Sequence, residues 1–242
     1  MNVLPDYSLL EPSVLTFVVI PIVLVVLFTW AVAAAWRRAG RPPGAVRVTA
    51  LATLAASVVW LNTTWSLAQG GVLTQWDRTP PPFILLVIVI FLLAFAIAFT
   101  AVGGRLAEHI PLWALVAVQS FRLPLELAMH RMAERGIMPP QMTYTGRNFD
   151  IVTGITAILV AALVWSGRGG KQLVLAWNLL GLALLLNVII VAIVSTPRFA
   201  FFGADRLNVW VAYPPFVWLP AVLVLAALAG HLIVFRALAH QR

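Results

Sequence analysis

Three ionisable side chains with regular spacing stand out within an apolar stretch. Arg122, Glu126 and His130 follow one another at intervals of four residues. An arginine can bind an anion, and a glutamate or a histidine can carry a proton. Because a charge at membrane depth is costly, it indicates by default a functional site with a partner nearby. We therefore predict a polar intramembrane site around this stretch.

The helical phase of these residues favours a single site. At about 100° per residue, Arg122, Glu126, His130 and Gln119 fall within a wedge of about 80° on one helix face. Pro124 lies inside this stripe and should free a backbone carbonyl beside it. Two interpretations remain open. The stripe lines a polar cavity, or Arg122 and Glu126 form a structural ion pair with His130 at the membrane interface.

The composition is that of a membrane protein. Of the 242 residues, 62% are hydrophobic and only 10% are charged, whereas soluble domains have about 25% charged residues. The chain has no cysteine, which excludes disulfides, thiolate metal sites and cysteine nucleophiles. Its net charge of +8 comes mostly from arginines near the ends of apolar runs, so we expect lipid headgroups as partners and no nucleic acid.

The apolar runs predict an all-α transmembrane bundle of about seven helices in a single domain, residues 1–242. The predicted spans are residues 14–36, 47–68, 83–104, 111–131, 149–166, 172–195 and 214–236. Basic residues are more frequent in alternate loops, which predicts an N-terminus outside and a C-terminus in the cytoplasm. The expected location is an inner or plasma membrane. For the last long loop, residues 197–213, two interpretations remain open, a lid in the membrane interface and a plain interfacial connector, and we favour the connector.

Further polar residues lie at a compatible depth on other predicted spans. Those in the same outer half are Asn62, Asn148, Asp150 and Asn187. Asp150 or Glu126 would then be the counter-ion of Arg122, although Asn148 and Asp150 also fit a plain helix start. Asn178 and His231 fall toward the cytoplasmic half, where His231 is expected to be a packed histidine.

Metal and cofactor motifs are weak or missing. Glu126 and His130 would supply one carboxylate and one imidazole, but a zinc site needs further ligands. The sequence has no Gly-rich phosphate loop, and its one lysine, Lys171, lies outside the predicted spans. We predict no metal and no cofactor.

Several strings together resemble a family of uncharacterised multi-pass bacterial membrane proteins. They are Phe121-Arg-Leu-Pro-Leu-Glu-Leu, Met142-Thr-Tyr-Thr-Gly-Arg-Asn-Phe-Asp, Trp177-Asn-Leu-Leu-Gly-Leu and Pro215-Phe-Val-Trp-Leu-Pro. The resemblance spans about residues 80–238 and implies no assigned activity. It implies that six residues occupy motif positions: Arg122, Glu126, Arg147, Asn148, Asp150 and Asn178. Members have a histidine where this chain has Gln119.

Three functions follow as hypotheses. The favoured one is binding or transport of a small anionic solute or lipid, with Arg122 on the anion and Glu126 and His130 as gate or proton partners. In the second, the chain is a membrane-embedded enzyme at the outer interface, with His130 or Glu126 as general base. In the third, it is a structural or sensor subunit of a membrane complex. The sequence does not determine the oligomeric state.

Overall fold

The computed structural model describes residues 4–240, whose regular secondary structure is helical. Helix accounts for 73% of the chain, and no β-strand occurs within the described residues. The α-helices are α1 (Pro12–Arg38), α2 (Pro43–Gln69), α3 (Pro82–Phe99), α4 (Ala101–His109), α5 (Leu112–Ala117), α6 (Arg122–Glu134), α7 (Ile151–Trp165), α8 (Lys171–Val194) and α9 (Leu225–His240). A 3₁₀ turn, Val118–Phe121, joins α5 to α6, and a π-helical segment, Leu219–Val224, leads into α9.

Six helices are long and apolar enough to cross a membrane. They are α1, α2, α3, the continuous α5–α6 segment Leu112–Glu134, α8, and the segment Leu219–His240 that ends in α9. The seventh predicted span, residues 149–166, forms the 15-residue helix α7, which is shorter than the other six. The structure thus supports a multi-pass membrane protein, while α7 leaves the predicted count of seven unsupported.

The helix surfaces support a lipid-facing bundle. Large apolar side chains such as Leu92, Phe95 and Phe99 on α3 are exposed, whereas Ile90 and Ala94 on the same helix are buried. In water such a surface would favour aggregation, but in a bilayer it contacts lipid. The membrane environment therefore explains how the bundle tolerates so many exposed hydrophobic side chains.

Local sequence features interrupt several helices. Pro124 has no amide hydrogen and clashes with the carbonyl four residues earlier, and the turn just before it tightens into the 3₁₀ segment Val118–Phe121. Pro220 likewise lies in the π-helical segment. The third span was predicted to run to residue 104, but the helix ends at Phe99 and residues 101–104 begin a separate helix, α4.

Three long connections meet at one end of the bundle, which we call the loop face: residues 70–81, 135–150 and 195–218. The side-chain amide of Gln141 donates to the Ser195 hydroxyl at 3.1 Å and to the Arg206 carbonyl at 2.7 Å, so the last two connections touch. The Tyr7 hydroxyl, near the start of the described chain, donates to the Pro214 carbonyl at 2.7 Å. The loop face is therefore tied together by direct contacts between distant segments.

Two of these connections fold into the bundle rather than over it. Met142 and Asn148 in the first, and Asn208, Trp210 and Phe216 in the second, are all almost fully buried. The expectation that residues 197–213 form an interfacial connector is therefore wrong for their second half. Non-helical backbone at this depth is tolerated only where protein or a cavity surrounds it.

Candidate functional site

Arg122 is the centre of the buried polar cluster. It lies at the first turn of α6 with an exposed fraction of 1%. One terminal nitrogen, Nη1, donates to Asp150 Oδ1 at 2.7 Å, and the other, Nη2, lies 3.1 Å from His231 Nε2. Asp150 immediately precedes α7, and His231 lies on α9. One side chain thus connects three helices in the interior of the bundle.

His231 has both ring nitrogens engaged. A guanidinium group has only donors, so His231 Nε2 must accept from Arg122. The proton must then lie on Nδ1, which donates to Asn178 Oδ1 at 2.7 Å, and the Asn178 amide donates back to the His231 carbonyl at 3.1 Å. The hydrogen-bond network therefore requires a neutral imidazole whose tautomer is set by Asn178.

Glu126 forms the second half of the cluster, one turn along α6. Its exposed fraction is 2%, and both carboxylate oxygens accept from the Asn148 side-chain amide, at 2.8 and 2.9 Å. Asn148 also donates to the Met142 carbonyl and accepts from the Asp150 backbone amide. This local turn places Asp150 toward Arg122 while Asn148 contacts Glu126.

Two glycines allow the helices to approach closely at this level. A Cβ atom on Gly154 of α7 would lie 2.6 Å from the backbone nitrogen of Leu123. A Cβ atom on Gly181 of α8 would lie 2.7 Å from the His231 ring. The close contacts of α7 with α6, and of α8 with α9, are thus possible only without a side chain at these positions.

The structure brings together part of the predicted residue set. Arg122, Glu126, Asn148 and Asp150 meet, and Gln119 is buried nearby with its amide 3.3 Å from the Ala227 carbonyl. The alternative of an Arg122–Glu126 ion pair does not match the geometry. Among residues 4–240, Arg122 pairs with Asp150, and Glu126 takes part in no ion pair.

Three predicted residues lie apart from the cluster. His130 is partly exposed, with its Nε2 3.5 Å from Glu134 Oε1, and its ring lies tilted against Tyr144 at 4.7 Å between ring centroids. Asn62 is exposed and bonds only to a carbonyl of its own helix. Asn187 donates to the Arg147 carbonyl at 2.7 Å. The helical phase did not place His130 correctly. On α6 this residue lies about 80° around the helix axis from Arg122, which is already outside the buried face.

Sequence reasoning missed His231 and underrated Asn178. Both were assigned to the other half of the membrane by counting residues from the predicted helix ends. Arg122 lies midway along its span, and its long side chain reaches the middle of the last span, where His231 lies. The Trp-Asn-x-x-Gly string around Asn178 was the available signal, since Asn178 and Gly181 both contact His231.

A partly open cavity of about 70 Å³ lies beside the cluster. Its polar wall is formed by Arg122, Glu126, Asn148, Asp150 and Asn208, and the remaining lining is apolar. The apolar part includes Phe83, Val87, Ile90 and Phe91 of α3 and Leu185, Val188, Ile189 and Ala192 of α8. Polar residues therefore lie beside a small space whose surface is almost entirely apolar.

A metal centre is not formed by these groups. The part of the chain that the structure describes contains no cluster of three or more histidine, aspartate or glutamate side chains able to hold a metal ion. The two carboxylates of the cluster are instead engaged by Arg122 and Asn148.

The helices and the buried cluster define a multi-pass α-helical membrane protein. The chain belongs to the family described as Domain of unknown function (DUF8737), whose model matches residues 81–239. This match includes every residue of the cluster and is consistent with the uncharacterised family that the motifs resemble. Comparison with curated proteins found no match, and comparison with solved structures found none either.

Proposed function

We propose that this membrane protein binds a small solute in the cavity beside Arg122 and Glu126 and passes it toward one face of the membrane. The observation that carries the proposal is the cavity itself, in which five polar side chains share an otherwise apolar lining. Small-molecule sites commonly have this character, with a few polar groups that fix orientation. A purely structural network would not require open space beside it.

The backbone around the cavity supports the same function. The segments 135–150 and 195–218 enter the bundle and contribute Met142, Asn148, Asn208 and Val211 to the lining. In membrane carriers, interrupted helices and irregular backbone typically form the binding site at the middle of the bilayer. We propose that these two segments separate the cavity from the loop face.

The proposed topology has seven crossings. Asp150 contacts Arg122 midway along the α5–α6 span, so α7 begins inside the membrane and needs only its 15 residues to reach the opposite face. We propose that residues 4–240 form one domain in an inner or plasma membrane, with the loop face outside. The basis is the excess of basic residues at the opposite face, which include Arg37, Arg38, Arg41, Arg47, Arg105, Arg168, Lys171 and Arg236.

Single cysteines can test this topology without background labelling, because the chain has none. Asp205 lies at the loop face and Arg168 at the opposite face, and both are exposed. In intact cells, a membrane-impermeant maleimide should label the Asp205→Cys variant but label Arg168→Cys only after lysis. The reverse pattern would invert the proposed orientation.

The cavity proposal is tested with a small neutral thiol reagent, 2-hydroxyethyl methanethiosulfonate. Val188 lines the cavity, whereas Leu179 on the same helix is 54% exposed on the lipid-facing surface. The Val188→Cys variant should react at least tenfold faster than Leu179→Cys, because a thiol ionises only where water reaches it. Adding Ala192→Leu, which fills the cavity, should slow the Val188→Cys reaction. Equal rates for the two cysteines would overturn the proposal and favour a structural role for the cluster.

A further inference from the structure

We infer that the cavity recognises a small cation, such as a primary ammonium ion, rather than the anion that Arg122 by itself would attract. This inference rests on the proposed binding function and names the chemical class of its solute. It follows from the partners of Arg122, the charge balance of the cluster, an unpartnered oxygen on Asn208, and the size and lining of the cavity.

The positive charge of Arg122 is already balanced within the cluster. One terminal nitrogen donates to Asp150 at 2.7 Å, and the other donates to His231 at 3.1 Å. Among the described residues, Nε has no hydrogen-bond partner. An anion at Nε would lie close to the carboxylates of Asp150 and Glu126, which would repel it.

With Glu126 ionised, the buried cluster carries one excess negative charge. Asp150 balances Arg122, and His231 is neutral because its Nε2 accepts a hydrogen bond. Glu126 is then a second carboxylate with only amide donors from Asn148. An ionised carboxylate in an apolar interior is costly unless a positive charge lies next to it. A cation in the cavity would supply that charge.

An unpartnered oxygen beside the cavity favours the same kind of ligand. Asn208 has an exposed fraction of 0%, and its Nδ2 donates to the Ala192 carbonyl at 3.1 Å, which determines the orientation of the amide. Within the described residues its Oδ1 has no hydrogen-bond partner, and Asn208 lines the cavity. A ligand that donates hydrogen bonds would satisfy Asn208, whereas an anion would not.

The size and lining of the cavity fit a small organic cation. A volume of about 70 Å³ is roughly half that of an engineered apolar cavity of about 150 Å³ that binds benzene, so a ligand of a few non-hydrogen atoms fits. Phe83, Phe91 and Phe121 line the cavity, and aromatic rings attract cations through their electron-rich faces. Methylammonium matches this volume, the hydrogen-bond acceptors and the aromatic wall.

Charged thiol reagents provide the test. The Val188→Cys variant is treated with 2-aminoethyl or 2-sulfonatoethyl methanethiosulfonate, and each rate is divided by the rate at the exposed position Thr145→Cys. The cationic reagent should be favoured by at least tenfold, because at an effective dielectric constant of about 20 a negative charge about 10 Å away attracts one reagent and repels the other. Glu126→Gln should bring the ratio close to one, whereas Glu134→Gln, at an exposed position away from the cavity, should leave it unchanged. A preference for the anionic reagent, or a ratio that does not respond to Glu126→Gln, would overturn the inference.

A second measurement, protection of a cysteine by bound ions, leaves every residue of the cluster as it is. It therefore still tests the inference if the Glu126→Gln variant does not fold. Methylammonium should protect the Val188→Cys variant from the neutral hydroxyethyl reagent, whereas formate should not. Protection by formate alone would identify an anion site, and protection by neither ion would also refute a cation site. In both cases, rapid reaction with the neutral reagent would still support the binding function, so the two proposals fail separately.

Discussion

The Arg122–Asp150 ion pair allows a quantitative prediction about stability. Its nitrogen and oxygen lie 2.7 Å apart, and the two side chains are 1% and 7% exposed. At an effective dielectric constant of about 20, the Coulomb attraction at this distance is about 6 kcal/mol. Desolvation of each ion costs several kcal/mol, so the pair as a whole contributes far less. The large effect appears only when one partner is removed.

The two single substitutions should therefore differ. Arg122→Gln removes the cation that pairs with Asp150 and should lower the free energy of unfolding by about 3–5 kcal/mol. Asp150→Asn leaves Arg122 balanced by Glu126 and preserves an acceptor for Nη1, so we expect a loss of about 1–3 kcal/mol. The double variant should lose less than the sum, with an interaction energy of about 2 kcal/mol.

The assay is reversible unfolding of the purified protein in mixed micelles, followed by tryptophan fluorescence. Arg147→Gln is the matched control, because this arginine is exposed and contacts the Phe202 ring at 5.3 Å rather than a carboxylate. It should change stability by less than about 0.5 kcal/mol. Equal losses for Arg122→Gln and Asp150→Asn, or additive losses in the double variant, would refute the charge balance described above.

Three further predictions concern packing, the second carboxylate and the loop face. Gly154→Ala should cost about 1–3 kcal/mol in the same unfolding assay, because its new Cβ atom would lie 2.6 Å from the backbone of α6. Its control is Gly44→Ala, which should not destabilise the protein, because its new Cβ atom would meet no atom within 4 Å. Asn148→Ala should cost about 2–4 kcal/mol, because it removes the donors to a buried carboxylate, and Asn62→Ala, which is exposed, should be nearly neutral. Tyr7→Phe should cost about 1 kcal/mol near neutral pH. In the folded protein, burial and, to a smaller extent, a nearby tyrosine raise the pKa of the Tyr7 hydroxyl above its ordinary value of 10.0. The wild type therefore loses the stability that Tyr7 contributes as the pH rises past about 10, whereas Tyr7→Phe has no such group to ionise. The difference in stability between the two proteins should shrink.

The helices were largely predictable from the sequence, because lipid requires long apolar segments and prolines mark their ends. The starts of α1, α2, α3 and α8 lie within a few residues of the predicted spans. The break at Thr100 was missed, since residues 101–104 remain apolar or small and hydropathy does not detect a change of helix direction. Likewise, hydropathy alone could not show that residues 208–212 fold into the bundle.

For the site, local sequence was informative along α6 and uninformative between helices. Spacing at intervals of four placed Arg122 and Glu126 on one buried face, and the Asn148-Phe-Asp150 string suggested a counter-ion. The partner on α9, His231, lies 109 positions along the chain from Arg122, and no local pattern records a contact over that separation.

Composition and charge spacing alone thus determined a multi-pass helical protein with costly charges inside it. The reason is that lipid cannot solvate ions or unpaired backbone groups, so long apolar helices and the rare charges within them can be recognised without a structure. Which carboxylate pairs with Arg122 was decided only by tertiary structure. The segment before α7 turns into the bundle and brings Asp150 to one guanidinium nitrogen, while Asn148 holds Glu126 away from it. The same packing leaves a cavity beside the carboxylate that has no cation. An arginine that the sequence alone associates with anions is thereby placed beside two buried carboxylates, which is the basis of the cation site that we propose.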